Sequence, residues 1–343
     1  MQHTTVELMG GLGNQLFQIF ALVAYALRYK TPFYFSPDPI QHGPRKKTYW
    51  HTPLLQTLKP FVKTTAIAPQ QPPLIVYERG FEHQELPFFQ YERDHVKFFG
   101  YFQSYKYFQD QQANVCKLIR LSETQALLKA KAKTPVYANT IAVHFRVGDY
   151  VALPNHHPLM TLAYYTAALT QFLKDHQASQ VQDQAGQVQG RSAALCETVE
   201  QACKTQQTHI LYFCEKNDQP FVDAEFIEKL KAVPAFQDKF TFECIDHSLD
   251  DWEQVIVMSL CKHHIIANST FSWWGAYLGG HPPRPPCSRT DANTSASTET
   301  LAQNGVERQV SPQVYYPSTW FGPAMGDKNL ADLFPPHWQK INV

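Results

Sequence analysis

The 343-residue chain has no apolar run long enough to cross a bilayer and no leader-like segment ahead of its first strand. This predicts a soluble, cytoplasmic protein without a transmembrane segment. Neither sign of charge is in excess: 30 Lys and Arg stand against 30 Asp and Glu. Composition therefore suits neither a nucleic acid nor an anionic membrane surface. Metal-type cysteine spacing is missing too, since the seven cysteines are odd in number and scattered, with no Cys-x-x-Cys pair. Cys116, Cys214, Cys244 and Cys261 lie in apolar runs and read as buried thiols, whereas Cys196, Cys203 and Cys287 fall in polar stretches. Such usage fits a reduced compartment. No Asp-x-Asp motif falls in a strand-end loop, so that metal-binding signature is absent as well.

What is present is enough chain for two domains, each able to bury its own core. The run 4–9 reads as a first strand, followed by a glycine-rich turn and a helix over 15–29 buried on most sides. Residues 33–35 form a second short strand, 36–90 is Pro-rich and irregular, and 98–116 holds a helix beginning near Ser104. In the second half, strands at 140–145, 209–214, 240–245 and 264–267 alternate with helices at 161–175, 220–231, 250–262 and 271–278. That alternation specifies a parallel sheet with helices on both faces. The expected units are an N-terminal α/β domain over 1–130, a C-terminal α/β domain over 131–320 and a tail over 321–343. Two stretches, 177–207 and 282–309, are poor in large apolar residues and read as flexible insertions. Asn293-Thr294-Ser295 fits a glycosylation sequon that a cytosolic chain would not use.

Chemistry concentrates at two strand ends. The apolar run Thr140-Ile141-Ala142-Val143 is followed by His144-Phe145-Arg146-Val147-Gly148-Asp149, which delivers charged groups to the carboxyl edge of the sheet. Ligands bind at that edge in open α/β sheets. The planar fork of Arg146 suits a diphosphate, and His144 points the same way by its i, i+2 relation. A salt-bridged cluster that finishes a strand is the plain alternative. After Ile265-Ile266-Ala267, the segment Asn268-Ser269-Thr270-Phe271-Ser272-Trp273-Trp274-Gly275 opens a helix with hydroxyls beside free N–H groups, an anion site or simply a capped helix with Trp in the core.

Together these segments resemble glycosyltransferase family 11, the α-1,2-fucosyltransferases. The resemblance rests on His-x-Arg-x-Gly-Asp-Tyr at 144–150 and Asn-Ser-Thr-Phe-Ser-Trp-Trp-Gly at 268–275. Supporting matches are the opening Gly10-Gly11-Leu12-Gly13-Asn14-Gln15-Leu16-Phe17-Gln18, the run Gly100-Tyr101-Phe102-Gln103, and the closing Pro317-Ser318-Thr319-Trp320-Phe321. They run in order from about residue 6 to 321. One departure stands out: the family usually has a second arginine where this chain has Val147. The resemblance implies a GT-B-like α/β fold, two Rossmann-like domains facing across a cleft. It further implies inverting transfer of L-fucose from GDP-fucose to the 2-hydroxyl of a terminal galactose on an oligosaccharide acceptor, without metal or other cofactor. Association with the membrane would at most be peripheral, through glycan or lipid-linked acceptors.

Under that reading Arg146 neutralises the departing β-phosphate, and His144 contacts guanine or ribose or is a hydrogen-bonded core histidine. Asn268, Ser269, Thr270 and Ser272 form a second cradle. Gly11 and Gly13 let backbone approach the sugar beside Asn14, with a capped glycine turn as the alternative. Glu215 and Asp218 hold the guanine edge. Asp149 is the nearest carboxylate for the acceptor proton, or else it orients Arg146 or caps the next turn.

Two rival readings start from other residues. Gly11, Gly13 and Asp38 faintly resemble a dinucleotide fingerprint, although Leu16 stands where the third glycine belongs; Tyr212 and Lys216 carry a reductase-like spacing. A sugar-nucleotide-binding homologue with weak or no catalysis is the other, made thinkable by Val147. A transferase that keeps the donor but uses a different acceptor or linkage is a third possibility.

Overall fold

A computed structural model describes residues 3–38, 40, 46–63, 72–89, 95–131, 139–188, 207–279 and 312–343, with side chains from 177 to 188 left aside. The insertion expected at 282–309 and most of that at 177–207 lie outside these residues, as do Cys196, Cys203, Cys287, the Asn293 sequon and positions 132–138 of the expected boundary.

The first half builds a three-stranded parallel sheet in the order β1 (His3–Val6), β3 (His95–Phe99), β2 (Leu74–Tyr77). Phe33 and Phe35, expected as a strand, each make an isolated parallel bridge, to Thr4 and Val62. Helix α1 (Leu12–Tyr29) is buried from Leu12 to Ala26, as its nearly all-round apolar sequence requires. The expected helix near Ser104 is a single 3-10 turn, Tyr105–Tyr107, followed by α2 (Gln112–Leu118) and α3 (Leu121–Lys131).

The second half is a six-stranded, wholly parallel sheet in the order β6-β5-β4-β7-β8-β9. Its strands are β4 (Thr140–His144), β5 (Thr208–Phe213), β6 (Phe240–Cys244), β7 (His263–Ile265), β8 (Val314–Pro317) and β9 (Gln339–Ile341). The crossover helix α4 (Leu162–Val188) continues into the first part of the segment read as an insertion. A helical run α5 spans Gln219–Val222, a π-turn at Asp223–Ile227 and Glu228–Lys231. Helices α6 (Asp251–Leu260) and α7 (Thr270–Tyr277) complete the set, the first opened by a reciprocal Asp250–Glu253 capping box. Both sheets are parallel and helix-covered, which is the GT-B-like α/β architecture expected.

Two expectations about domains need correction. Residues 321–343 are no tail: they supply β9 to the large sheet, and Asp332 binds back to the small-sheet half through the His83 N–H at 2.9 Å and through Lys106. Nor does the N-terminal half keep a core of its own, although a second cluster lies wholly within the C-terminal half. α1 lies against α7, and α3 against α6. One continuous apolar cluster holds Phe17 and Phe20 of α1, Phe108, and Trp273, Trp274 and Tyr277 of α7. Ring centroids lie 4.4 Å apart for Phe17–Trp273 and 4.5 Å for Phe20–Trp274.

Candidate functional site

Strand order locates the site. From β4 the chain proceeds to β5 and β6 on one side, then returns to place β7 on the other, so the topological switch falls between β4 and β7. In such sheets the crossover helices diverge there and leave a crevice at the carboxyl ends. The two constellations singled out above follow β4 and β7. Between them and the small sheet lies a cleft of about 620 Å³, lined among others by Gly11, Gly13, Asn14, His144, Arg146, Asp149, Glu215, Asn268, Ser269 and Thr270.

Arg146 is a partly buried cation in its lining. Side-chain alternation after β4 sends Phe145 and Val147 into the second apolar cluster, while His144 and Arg146 reach the cleft. Val147 is thus a core residue, 6% exposed. The guanidinium is held by ion pairs to Asp149 and Glu215 and lies 5.0 Å from the Tyr150 ring centroid. Burial works against its charge, but those carboxylates outweigh it and raise its pKa. His144 is 6% exposed, its Nδ1 has no hydrogen-bond partner among the described residues, and its ring lies 5.5 Å from that of Phe271. Burial, reinforced by the Arg146 charge, pushes its pKa down to about 3, so it is a neutral ring at ordinary pH.

Two helix N-termini enter the cleft from opposite halves. α1 starts after Gly11 without a side-chain cap, and α7 starts after Ser269, whose hydroxyl accepts the Phe271 N–H at 3.3 Å. Neither carries an acidic residue in its first turn. Free N–H groups and the positive dipole ends make both favourable to an anion. Asn14 joins them: its Oδ1 accepts from Thr270 Oγ1 at 2.9 Å and from Gln103 Nε2 at 3.0 Å. A Cβ on Gly13 would lie 2.6 Å from the carbonyl carbon of Thr270, and Gly10 holds φ +75° with Asn14 packed against it. The glycine at 13 therefore serves helix-to-helix approach while also lining the cleft.

Several expected roles change. Asp218 is not at the cleft lining; its Oδ2 accepts the Gly148 N–H at 2.8 Å and fixes the loop carrying Arg146. Glu215 lines the cleft and pairs there with Arg146. Ser272 is fully buried and donates to the Ser269 carbonyl at 3.2 Å, away from the cleft. Asn268 uses its Nδ2 to tie the Pro158 and Trp320 carbonyls at 3.0 and 3.1 Å. Asp149 engages Arg146, the orienting alternative.

The oxidoreductase reading fails on placement: Leu16 is fully buried, Asp38 pairs with Ser36, and the Tyr212 hydroxyl donates to Asp223 at 2.6 Å. Sequence reasoning missed the cleft residues Gln103, Trp320 and Phe321, although all three lay inside the quoted motifs. Tyr49 and Asp251, which hydrogen-bond each other across the two halves, carried no motif signal.

The model of "Glycosyl transferase family 11" matches residues 221–283. The O-antigen biosynthesis glycosyltransferase WbnK of Escherichia coli is 28% identical over 144 residues, 41% of this chain and 35% of that protein. An alpha-1,2-colitosyltransferase of Escherichia coli is 28% identical over 188 residues, 53% of this chain and 51% of that protein. The chain thus spans about a third to a half of the length of these curated relatives. Among solved structures, POFUT1 in complex with GDP is 12% identical with a TM-score of 0.40, over 83% of this chain and 96% of that one. Arabidopsis thaliana FUT1 in complex with GDP is likewise 12% identical, with a TM-score of 0.37 over 81% and 68%. The opening, central and closing motifs thus meet at one cleft, and over residues 221–283 the chain is similar to glycosyl transferase family 11.

Proposed function

We propose that the chain transfers L-fucose from GDP-fucose to the 2-hydroxyl of a terminal galactose on a glycan, with inversion and without a metal. The observation that carries this reading is the convergence of Arg146 with the N-termini of α1 and α7 at the switch point of the large sheet. Those groups suit a diphosphate that gains negative charge as the sugar leaves with oxocarbenium character. Arg146 stabilises the departing β-phosphate, and the two helix starts share its remaining charge. Asp149 and Glu215 hold the guanidinium in place until the diphosphate takes over part of its fork. The neutral His144 offers a hydrogen bond to the nucleoside without adding charge.

The test is release of GDP from GDP-fucose, with and without lactose, in EDTA, alongside Arg146→Ala. Lactose-stimulated release that survives chelation and falls on the order of 10²–10³-fold in the variant is expected. No release with any galactoside, together with no binding of GDP-fucose, would overturn the donor assignment. Asp149→Asn separates positioning from proton abstraction. As a positioning group it raises donor KM and leaves the pH profile in place, whereas a base would lose the acidic limb of that profile. The relative named for colitose transfer favours one second reading, α-1,2 transfer of colitose by the same site. Nucleotide-activated colitose in the same assay distinguishes it.

A further inference from the structure

We infer that Cys214, Cys244 and His247 form a site for one soft divalent cation of the zinc class at the edge of the cleft. The three ligand atoms lie within 4.8 Å of one another. The topology brings them together: β5 and β6 pair in parallel with Tyr212 opposite Cys244, so Cys214 stands just past the end of β5 and beside the end of β6. The loop after β6 then returns His247 three residues later, with Cys244 Sγ 3.5 Å from His247 Nε2. Tetrahedral zinc, with Zn–S near 2.3 Å and Zn–N near 2.0–2.1 Å, sets an S···N edge of about 3.5 Å and an S···S edge of about 3.8 Å. The cluster therefore has the spacing of a coordination shell with only small side-chain movement.

Two thiolates and an imidazole select zinc-class ions over magnesium and calcium, which require oxygen ligands. Three protein ligands leave the fourth position for water or another donor, reached from the cleft that Cys214 and His247 line. Binding releases the two thiol protons to solvent and leaves the ion balanced by two thiolate charges. It also replaces the present 3.1 Å contact of His247 Nε2 with Gln219 Oε1. Spacing along the chain hides this site: Cys214 and Cys244 are thirty residues apart, far from any Cys-x-x-Cys pattern. It does not rest on the donor or acceptor proposed above.

Cobalt(II) is the probe, titrated under non-thiol reductant into the full chain. One equivalent with a thiolate-to-cobalt charge-transfer band and tetrahedral d–d bands, displaced by zinc, is expected. The band should be lost in Cys244→Ser and in His247→Ala and kept in Cys261→Ser, whose thiol is buried against the Val257 carbonyl. His247 is half-buried, so its truncation removes a ligand with little disturbance of the core. An unchanged far-UV circular dichroism spectrum confirms that each variant is folded. No charge-transfer band with millimolar cobalt, or a band that survives in both ligand variants, would overturn the site.

Discussion

At the scale of single residues, the alternation that follows β4 decides what positions 144 to 147 can do. Val147 is packed in the apolar cluster with Phe145, so an arginine there would bury a charge without a partner. Val147→Arg is expected to lower stability by several kcal/mol, read as a fall in Tm, and to give no gain in GDP release. His144 makes a second prediction through its proton. The unfolded chain takes it up as pH falls through about 6.5, while the folded protein does so only near about 3. Between those values the unfolded state binds more protons, so the His144 contribution is present above about pH 6.5 and is lost as pH falls. Chemical denaturation at pH 7.5 and pH 5 should show the wild type losing about 2 kcal/mol more than His144→Gln. The residue-scale motifs were legible because strand ends concentrate charge. The partners of Glu215 and Asp218 were not, since hydrogen bonds to a neighbouring loop leave no mark in sequence spacing.

Among elements, the contact between α1 and α7 shapes the cleft floor. A methyl group at position 13 would strike the backbone of Thr270 at 2.6 Å, which no side-chain rotation relieves. Gly13→Ala should therefore cost about 1–3 kcal/mol in thermal or chemical denaturation, in the range of overpacked cores. It should also weaken GDP binding measured by calorimetry, because both helix starts move apart. Legibility differed by element for a physical reason. β4 and β5 are buried nearly throughout and read as unbroken apolar runs, whereas β9 is an edge strand of three residues, Gln-Lys-Ile, too short to show a period. β2 alternates between half-buried and exposed positions within a Pro-rich stretch, and β3 follows it without a clear turn signal. β1 was legible, but the other two strands of the small sheet were hidden for that reason. The helix expected near Ser104 failed because Phe102 turns the chain with φ +52°, and Ser104 caps only a single 3-10 turn.

For the molecule as a whole, the shared apolar cluster implies that the N-terminal half has no stability of its own. Calorimetric unfolding should give one transition, with the van't Hoff and calorimetric enthalpies equal, and two resolved transitions would contradict the shared core. A fragment ending at residue 131 should remain unfolded by near-UV circular dichroism, since α1 would lose Trp273 and Trp274. The Asn14–Thr270 hydrogen bond has a further consequence for descent. It joins positions 256 residues apart, and Gly13 meets the same threonine. A lineage that exchanged one half for that of a distant relative would inherit a mismatched seam, so the two halves travel together through recombination. Novelty in what the protein accepts then has to arise in the loops around the rim, where a change disturbs neither partner.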